Sequence, residues 1–307
     1  MLTYLIPMGV YMYDDITGYL LFYGYNIKYK KIELNNTILK YMQDISELTS
    51  GISVMPKVVN NKEELEESVR SFLSNKYKLH KIGILTDSVY CDKIIDKNIR
   101  FNRDIIKTFN KSATFVDPFD MDVEYWNDSV DETSLEVQIP VIDDYDILKH
   151  INVYYKRISL PRKIYDMTPI FYTHELIHSQ INKGSIKDYC NRELLPIFNE
   201  LLYAYEKDKE LFKKQLVFRI DHLLTDFYSL YNKEQDKSFE ILELQSYYIS
   251  ILKAINLLYK YINGDKKVIE YINKVFNKNT KLEHMLDKLS ITDNNIYNKR
   301  LVKELLN

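Results

Sequence analysis

Apolar positions along this chain change their spacing near residue 160. Before it they form short runs and alternations, the period of half-buried strands, with two helical stretches between them. Tyr19–Tyr25 and Ile27–Leu34 read as strands with a turn at Gly24-Tyr25-Asn26, and Asn35-Asn36-Thr37 caps a short helix over Ile38–Ile45. Lys62–Asn75 is an amphipathic helix: Leu65, Val69, Phe72 and Leu73 form one stripe, and Glu63, Glu64 and Glu67 gather near its start. Residues 81–86 read as a closing strand. Residues 87–135 read as loops around short helices, because Pro118, the acidic patch Asp117–Glu124 and the polar run Asn127–Ser134 break any period. Leu135–Val141 and Ile151–Ile158 read as strands joined across Asp143–Asp146. From Pro161 onward the spacing is helical. Helices are expected over Asn191–Tyr205 and over residues 207–232, 239–262, 266–276 and 280–288, with Gly264 as a stop.

This pattern predicts an α+β protein: a small α+β unit over residues 1–86, then a mainly α-helical domain over residues 87–307 with a small edge sheet. Hydrophobic residues make up 46% of the 307, so a sizeable core is expected and global disorder is not. The 42 basic and 44 acidic side chains leave a net charge of -2, which gives no electrostatic case for nucleic acid or an anionic membrane surface. Two cysteines, Cys91 and Cys190, are too few for a disulfide framework and suit a reducing compartment. The apolar start, Met1–Val10, lacks a basic segment and is soon interrupted by Asp14 and Asp15, a poor signal peptide. The expectation is a soluble cytoplasmic protein.

One stretch adds chemistry. Thr173-His174-Glu175-Leu176-Ile177-His178 carries an H-E-x-x-H pattern inside an apolar run. On a helix His174 and His178 lie one turn apart on one face, within reach of one metal ion, and Glu175 sits beside it to take a proton from a metal-bound water. The bare pattern also occurs by chance on surface helices. Here Met167–Tyr172 upstream, with Leu176 and Ile177 inside the motif, predict a helix buried on most sides. Two histidines and a glutamate need partners there, and a zinc ion supplies them.

Zinc of this kind wants a third protein ligand and one open position. Asp188, Glu193 and Glu200 are the downstream candidates. Glu193 lies 15 residues after His178 and Glu200 lies 22 after, so the two glutamates are seven apart and share a helix face. Glu193 is the preferred metal ligand, and Glu200 then orients a ligand histidine through its free ring nitrogen. The choice between them stays open at this point.

Glu193-Leu-Leu-Pro-Ile-Phe-Asn-Glu200 resembles the third-ligand helix of the thimet oligopeptidase and oligoendopeptidase F family of zinc peptidases. The Tyr-rich segment Leu244–Leu258 and the tail from Gly264 through Leu289 are similar to the family's helical end, so the resemblance spans roughly residues 135–290. It implies a zincin-like catalytic domain of the glutamate type, with one Zn2+ per chain held by His174, His178 and Glu193 and with Glu175 as general base. It also implies that a phenol from the Tyr-rich helix, Tyr247 or Tyr248, stabilises the oxyanion. Two features depart from the family: Ile177 stands where glycine is usual, and the connection from His178 to Glu193 is short.

The expected activity is therefore hydrolysis of short or unstructured peptides. A strand just upstream of the zinc helix would offer its edge to the substrate backbone. In element order the N-terminal unit resembles winged-helix modules that recognise leader peptides, which would suit a dedicated protease maturing a ribosomally made precursor. The competing expectations are a non-catalytic peptide-binding protein on a degenerate peptidase fold and a helical scaffold with accidental spacing.

Overall fold

A computed structural model describes residues 34–52, 54, 55, 57–59, 62–85, 113–120, 122–125, 134–138, 155–160, 166–181, 186, 188–232, 239–277 and 279–307. The expected strands over residues 19–33 and the joining segment at Asp143–Asp146 lie outside them. Among the described residues helices dominate. They are α1 (Asn36–Thr49), α2 (Lys62–Lys76), α3 (Thr168–Gln180), α4 (Leu194–Lys207), α5 (Lys209–Asn232), α6 (Phe239–Ile262), α7 (Lys267–Phe276), α8 (Leu282–Lys288) and α9 (Lys299–Leu306). No helix among the described residues is long and apolar enough to cross a membrane.

The helices start and stop where local chemistry requires. The Asn35 side chain accepts from the backbone N–H groups of Thr37 and Ile38 and so caps α1. Pro169 occupies the first turn of α3, where a missing N–H costs nothing. Gly264 adopts φ 90 after α6, a left-handed conformation that ends the helix without a Cβ penalty.

The centre of the molecule is a packed group of α3, α4, α5 and α6: α3 lies on α4, α4 on α5 and α6, and α5 on α6. Ile170, Tyr172, Leu176 and Ile177 of α3 are essentially sealed from solvent, as are Leu194, Leu195, Ile197, Phe198, Leu201 and Leu202 of α4. Each such side chain contributes roughly 1.5–3 kcal/mol through burial. α1 and α2 join the same core. Ile38, Met42 and Ile45 pack in it with Leu65, Val69 and Leu73, Tyr41 meets Tyr297 edge-on at 5.5 Å, and Phe72 meets Tyr203 at 5.2 Å.

Residues 87–135 contain more strand than their sequence suggests. β1 (Ile82–Leu85) pairs antiparallel with β2 (Ala113–Val116), and β3 (Asp122–Tyr125) pairs parallel with β5 (Tyr155–Leu160). β4 (Ser134–Gln138) runs antiparallel to β5, from Ser134 opposite Ser159 to Gln138 opposite Tyr155. Four-residue strands such as β2 and β3 are too short to display an alternation, and their partners are distant in sequence. The sheet order β3-β5-β4 corrects one expectation. β5, the described strand that precedes α3, has a strand on each side, so among the described residues the outer edges of this sheet belong to β3 and β4.

Because α1 shares the core of α3–α6, Ile45→Ala should lower global stability by about 2–5 kcal/mol and leave one cooperative transition. Urea unfolding followed by far-UV circular dichroism and by Trp126 fluorescence checks this. Two separate transitions would instead mark α1 and α2 as an independent unit.

Candidate metal centre

Buried on most sides, α3 holds His174 and His178 one turn apart, as the apolar run around the motif requires. The chain then turns through a short 3-10 helix, Tyr189–Asn191, capped by Asp188, whose side chain accepts from the Cys190 N–H. Asp188 is thus a capping residue. Glu193 sits directly before the first residue of α4, and its side chain makes no capping bond. Its carboxylate turns to the histidines instead, at a helix N-terminus that favours negative charge.

Three donor atoms converge. His174 Nε2 and His178 Nε2 are 3.0 Å apart, and Glu193 Oε2 lies 3.3 Å from the first and 3.1 Å from the second. Four-coordinate zinc with bonds of about 2.0–2.1 Å places its ligand atoms about 3.3 Å apart. The observed spacings fit that requirement, so this group could bind a metal. His174 is 6% exposed and Glu193 is 2% exposed, which leaves His178 as the more open member.

Glu175, Glu193, Glu200 and Glu243 gather here with Arg192, Arg219 and the two histidines, so buried carboxylates draw positive charge to the site. Burial opposes a charged imidazole at His174, but Glu200 and Glu193 outweigh it and push its pKa up to about 10. Burial raises the Glu175 carboxyl against the pull of His174 and His178. Glu193 goes the other way: despite burial, His178 and Arg192 hold it well below the usual carboxylate range.

Glu200 is fully buried on α4, with Oε1 2.5 Å from His174 Nδ1. That contact assigns Nε2 of His174 to the donor group and Nδ1 to Glu200. Glu200 is itself held from α5. Arg219 Nε donates to its Oε2 at 2.6 Å, Arg219 Nη2 donates to its Oε1, and Gln215 Nε2 donates to Oε2 at 2.8 Å. Burial opposes its charge, but Arg219 and His174 hold the Glu200 carboxyl low.

The two neighbouring tyrosines part company. Tyr247 stacks on His222 with ring centroids 5.2 Å apart and lies under the Arg192 guanidinium. The Glu193 charge, ahead of burial, raises the pKa of its phenol, which stays protonated beside the donor group. Tyr248 is fully buried, exchanges a 2.8 Å hydroxyl contact with Tyr297 and packs against Phe227. The structure does not bring it to the donor group, which corrects its candidacy for the oxyanion role. Successive residues of a helix point about 100° apart, so only one of an adjacent pair can face a given site.

Arg192, Arg219, His222 and Glu243 were missed in the sequence. The signal for Arg219 was present: a charge inside the apolar run Leu216-Val217-Phe218-Arg219-Ile220, the same anomaly that marks the histidine helix. His222 offers Nδ1 at 3.3 Å from Arg219 Nη1, and burial followed by the Arg219 charge pushes its pKa down to about 4.

Arg219→Met should destabilise the fold by about 3–5 kcal/mol, because it leaves Glu200 as a buried, unbalanced charge. The double variant Arg219→Met/Glu200→Gln should recover part of that loss in chemical denaturation. Equal stability of wild type and Arg219→Met would contradict the pairing. No family model matches the chain, and no solved structure matches it.

Proposed function

We propose that this protein is a zinc-dependent peptidase, built on His174, His178 and Glu193 as metal ligands and Glu175 as general base. The convergence of two imidazole nitrogens and one carboxylate oxygen at 3.0–3.3 Å, with Glu175 next in sequence to His174, carries this reading. Two imidazoles and a carboxylate are a donor set that suits zinc, and one ion per chain is expected. When bound, the ion supplies Lewis acidity that activates a water molecule and polarises the scissile carbonyl.

The chain's own residues supply the rest. Glu175 accepts the water proton and hands it to the leaving amine. Its raised pKa, from burial, suits a group that must both take and release a proton. Tyr247, held protonated beside Glu193, donates a hydrogen bond to the carbonyl oxygen as negative charge develops there. Glu200 and Arg219 fix the tautomer and orientation of His174. Among the described residues β3 and β4 form the outer edges of the sheet, the places where an extended substrate backbone could add as a strand.

The Glu-spacer-Glu helix and Tyr-rich tail support a divergent member of the thimet oligopeptidase and oligoendopeptidase F family. Short or unstructured peptides are the expected substrates, and maturation of a ribosomally made precursor is the role that an N-terminal recognition unit would suit. Cys190 is a free, buried thiol, in keeping with a reducing, cytoplasmic setting.

Glu175→Gln should retain zinc and abolish hydrolysis of a fluorogenic peptide library. Tyr247→Phe should lower kcat by about 10²–10³-fold, with Tyr248→Phe near wild type. Chelation should remove activity and zinc should restore it. Wild-type turnover by Glu175→Gln would refute the mechanism.

A further inference from the structure

Glu193 has two carboxylate oxygens, and the structure gives them different occupations. Oε2 is the atom that faces both imidazoles, at 3.1 and 3.3 Å. Oε1 faces away, 2.8 Å from Nε of Arg192. A carboxylate with both oxygens free can chelate a metal through either one or both. A carboxylate with one oxygen held by a cation presents the other alone.

We propose that Arg192 is a positioning residue that fixes Glu193 as a one-oxygen ligand and so keeps a coordination position open for water or substrate. This rests on the zinc reading above. The geometry around Arg192 is what a fixed clamp requires. Its Nη1 donates to the Tyr189 hydroxyl and its Nη2 to Glu243 Oε2, while the Tyr189 hydroxyl donates to Glu243 Oε1. The guanidinium also lies over the Tyr189 ring, 4.6 Å from its centroid. Nη1 and Nη2 are therefore engaged by hydrogen bonds that fix the plane of the guanidinium, and Nε is held in ion-pair contact with Glu193 without a hydrogen bond directed at it. Tyr189 and Arg192 come from the same short turn that leads into α4, and Glu243 comes from α6, so two elements hold the clamp.

A planar fork is needed for this arrangement; a lysine ammonium would keep the charge but could not span Glu193, Glu243 and Tyr189 at once. The role also differs from that of Arg219, which acts through Glu200 on a histidine. Arg192 acts directly on a ligand carboxylate, and its loss would free Oε1 to approach the metal as an additional donor.

The test uses the full chain loaded with Co2+, whose visible bands are intense when four-coordinate and weaker when a further ligand joins. Arg192→Lys and Arg192→Met should both bind Co2+ with weaker, shifted bands, and competition against a chelator should show zinc affinity lowered by about 10–100-fold. If Arg192→Met is insoluble, Arg192→Lys alone carries the reading, with circular dichroism confirming its fold. A wild-type spectrum and affinity in a folded variant would overturn the role of Arg192 and leave the zinc reading intact. A wild-type protein that takes up neither Co2+ nor Zn2+ would overturn both.

Discussion

Four carboxylates, Glu175, Glu193, Glu200 and Glu243, are gathered beside the histidine helix in a region that α4, α5 and α6 keep largely dry. Moving a carboxylate out of water costs several kcal/mol unless positive charge meets it. The elements around the site are arranged to supply that charge. α5 delivers Arg219 to Glu200, the turn before α4 delivers Arg192 to Glu193 and Glu243, and α3 presents two histidines to the remaining oxygen. The carboxylate oxygen of Glu193 that no arginine meets is the one turned to the two imidazoles.

The same requirement explains why so much of the chain is committed to rigid packing. The donor spacing of 3.0–3.3 Å is set by side chains from α3 and from Glu193 at the entry to α4, so the relative position of those helices must be held to a fraction of an ångström. No residue of α3 is exposed, α4 is buried from Leu194 through Ala204, and α2 packs against α3. Several polar groups that enter this interior are bonded in turn. Ser246 and Ser250 of α6 donate to the backbone carbonyls of Tyr189 and Cys190, and Lys253 donates to Asn191. These bonds tie the turn that carries Arg192 to the longest apolar helix.

Much of the site was legible in the sequence because helical spacing is a local rule. His174 with His178 at four residues, and Glu193 with Glu200 at seven, share faces whatever the rest of the fold does. The long helices were legible for the same reason: α5 and α6 end at the expected residues 232 and 262. Arg192 and Arg219 were not, since their partners lie on other elements or depend on side-chain direction, and a single charged residue carries no spacing. Tyr247 and Tyr248 could not be separated because both lie in one apolar helix and only its rotation about its axis decides which one faces Glu193. The short strands β2 and β3 were hidden because pairing, not period, makes them strands.

X-ray diffraction from crystals of the purified protein, measured on both sides of the zinc absorption edge, tests the central claim most directly. The account predicts one anomalous peak per chain, about 2.0–2.2 Å from His174 Nε2, His178 Nε2 and Glu193 Oε2. Crystals grown with zinc that show no peak there, or show it on other residues, would contradict it.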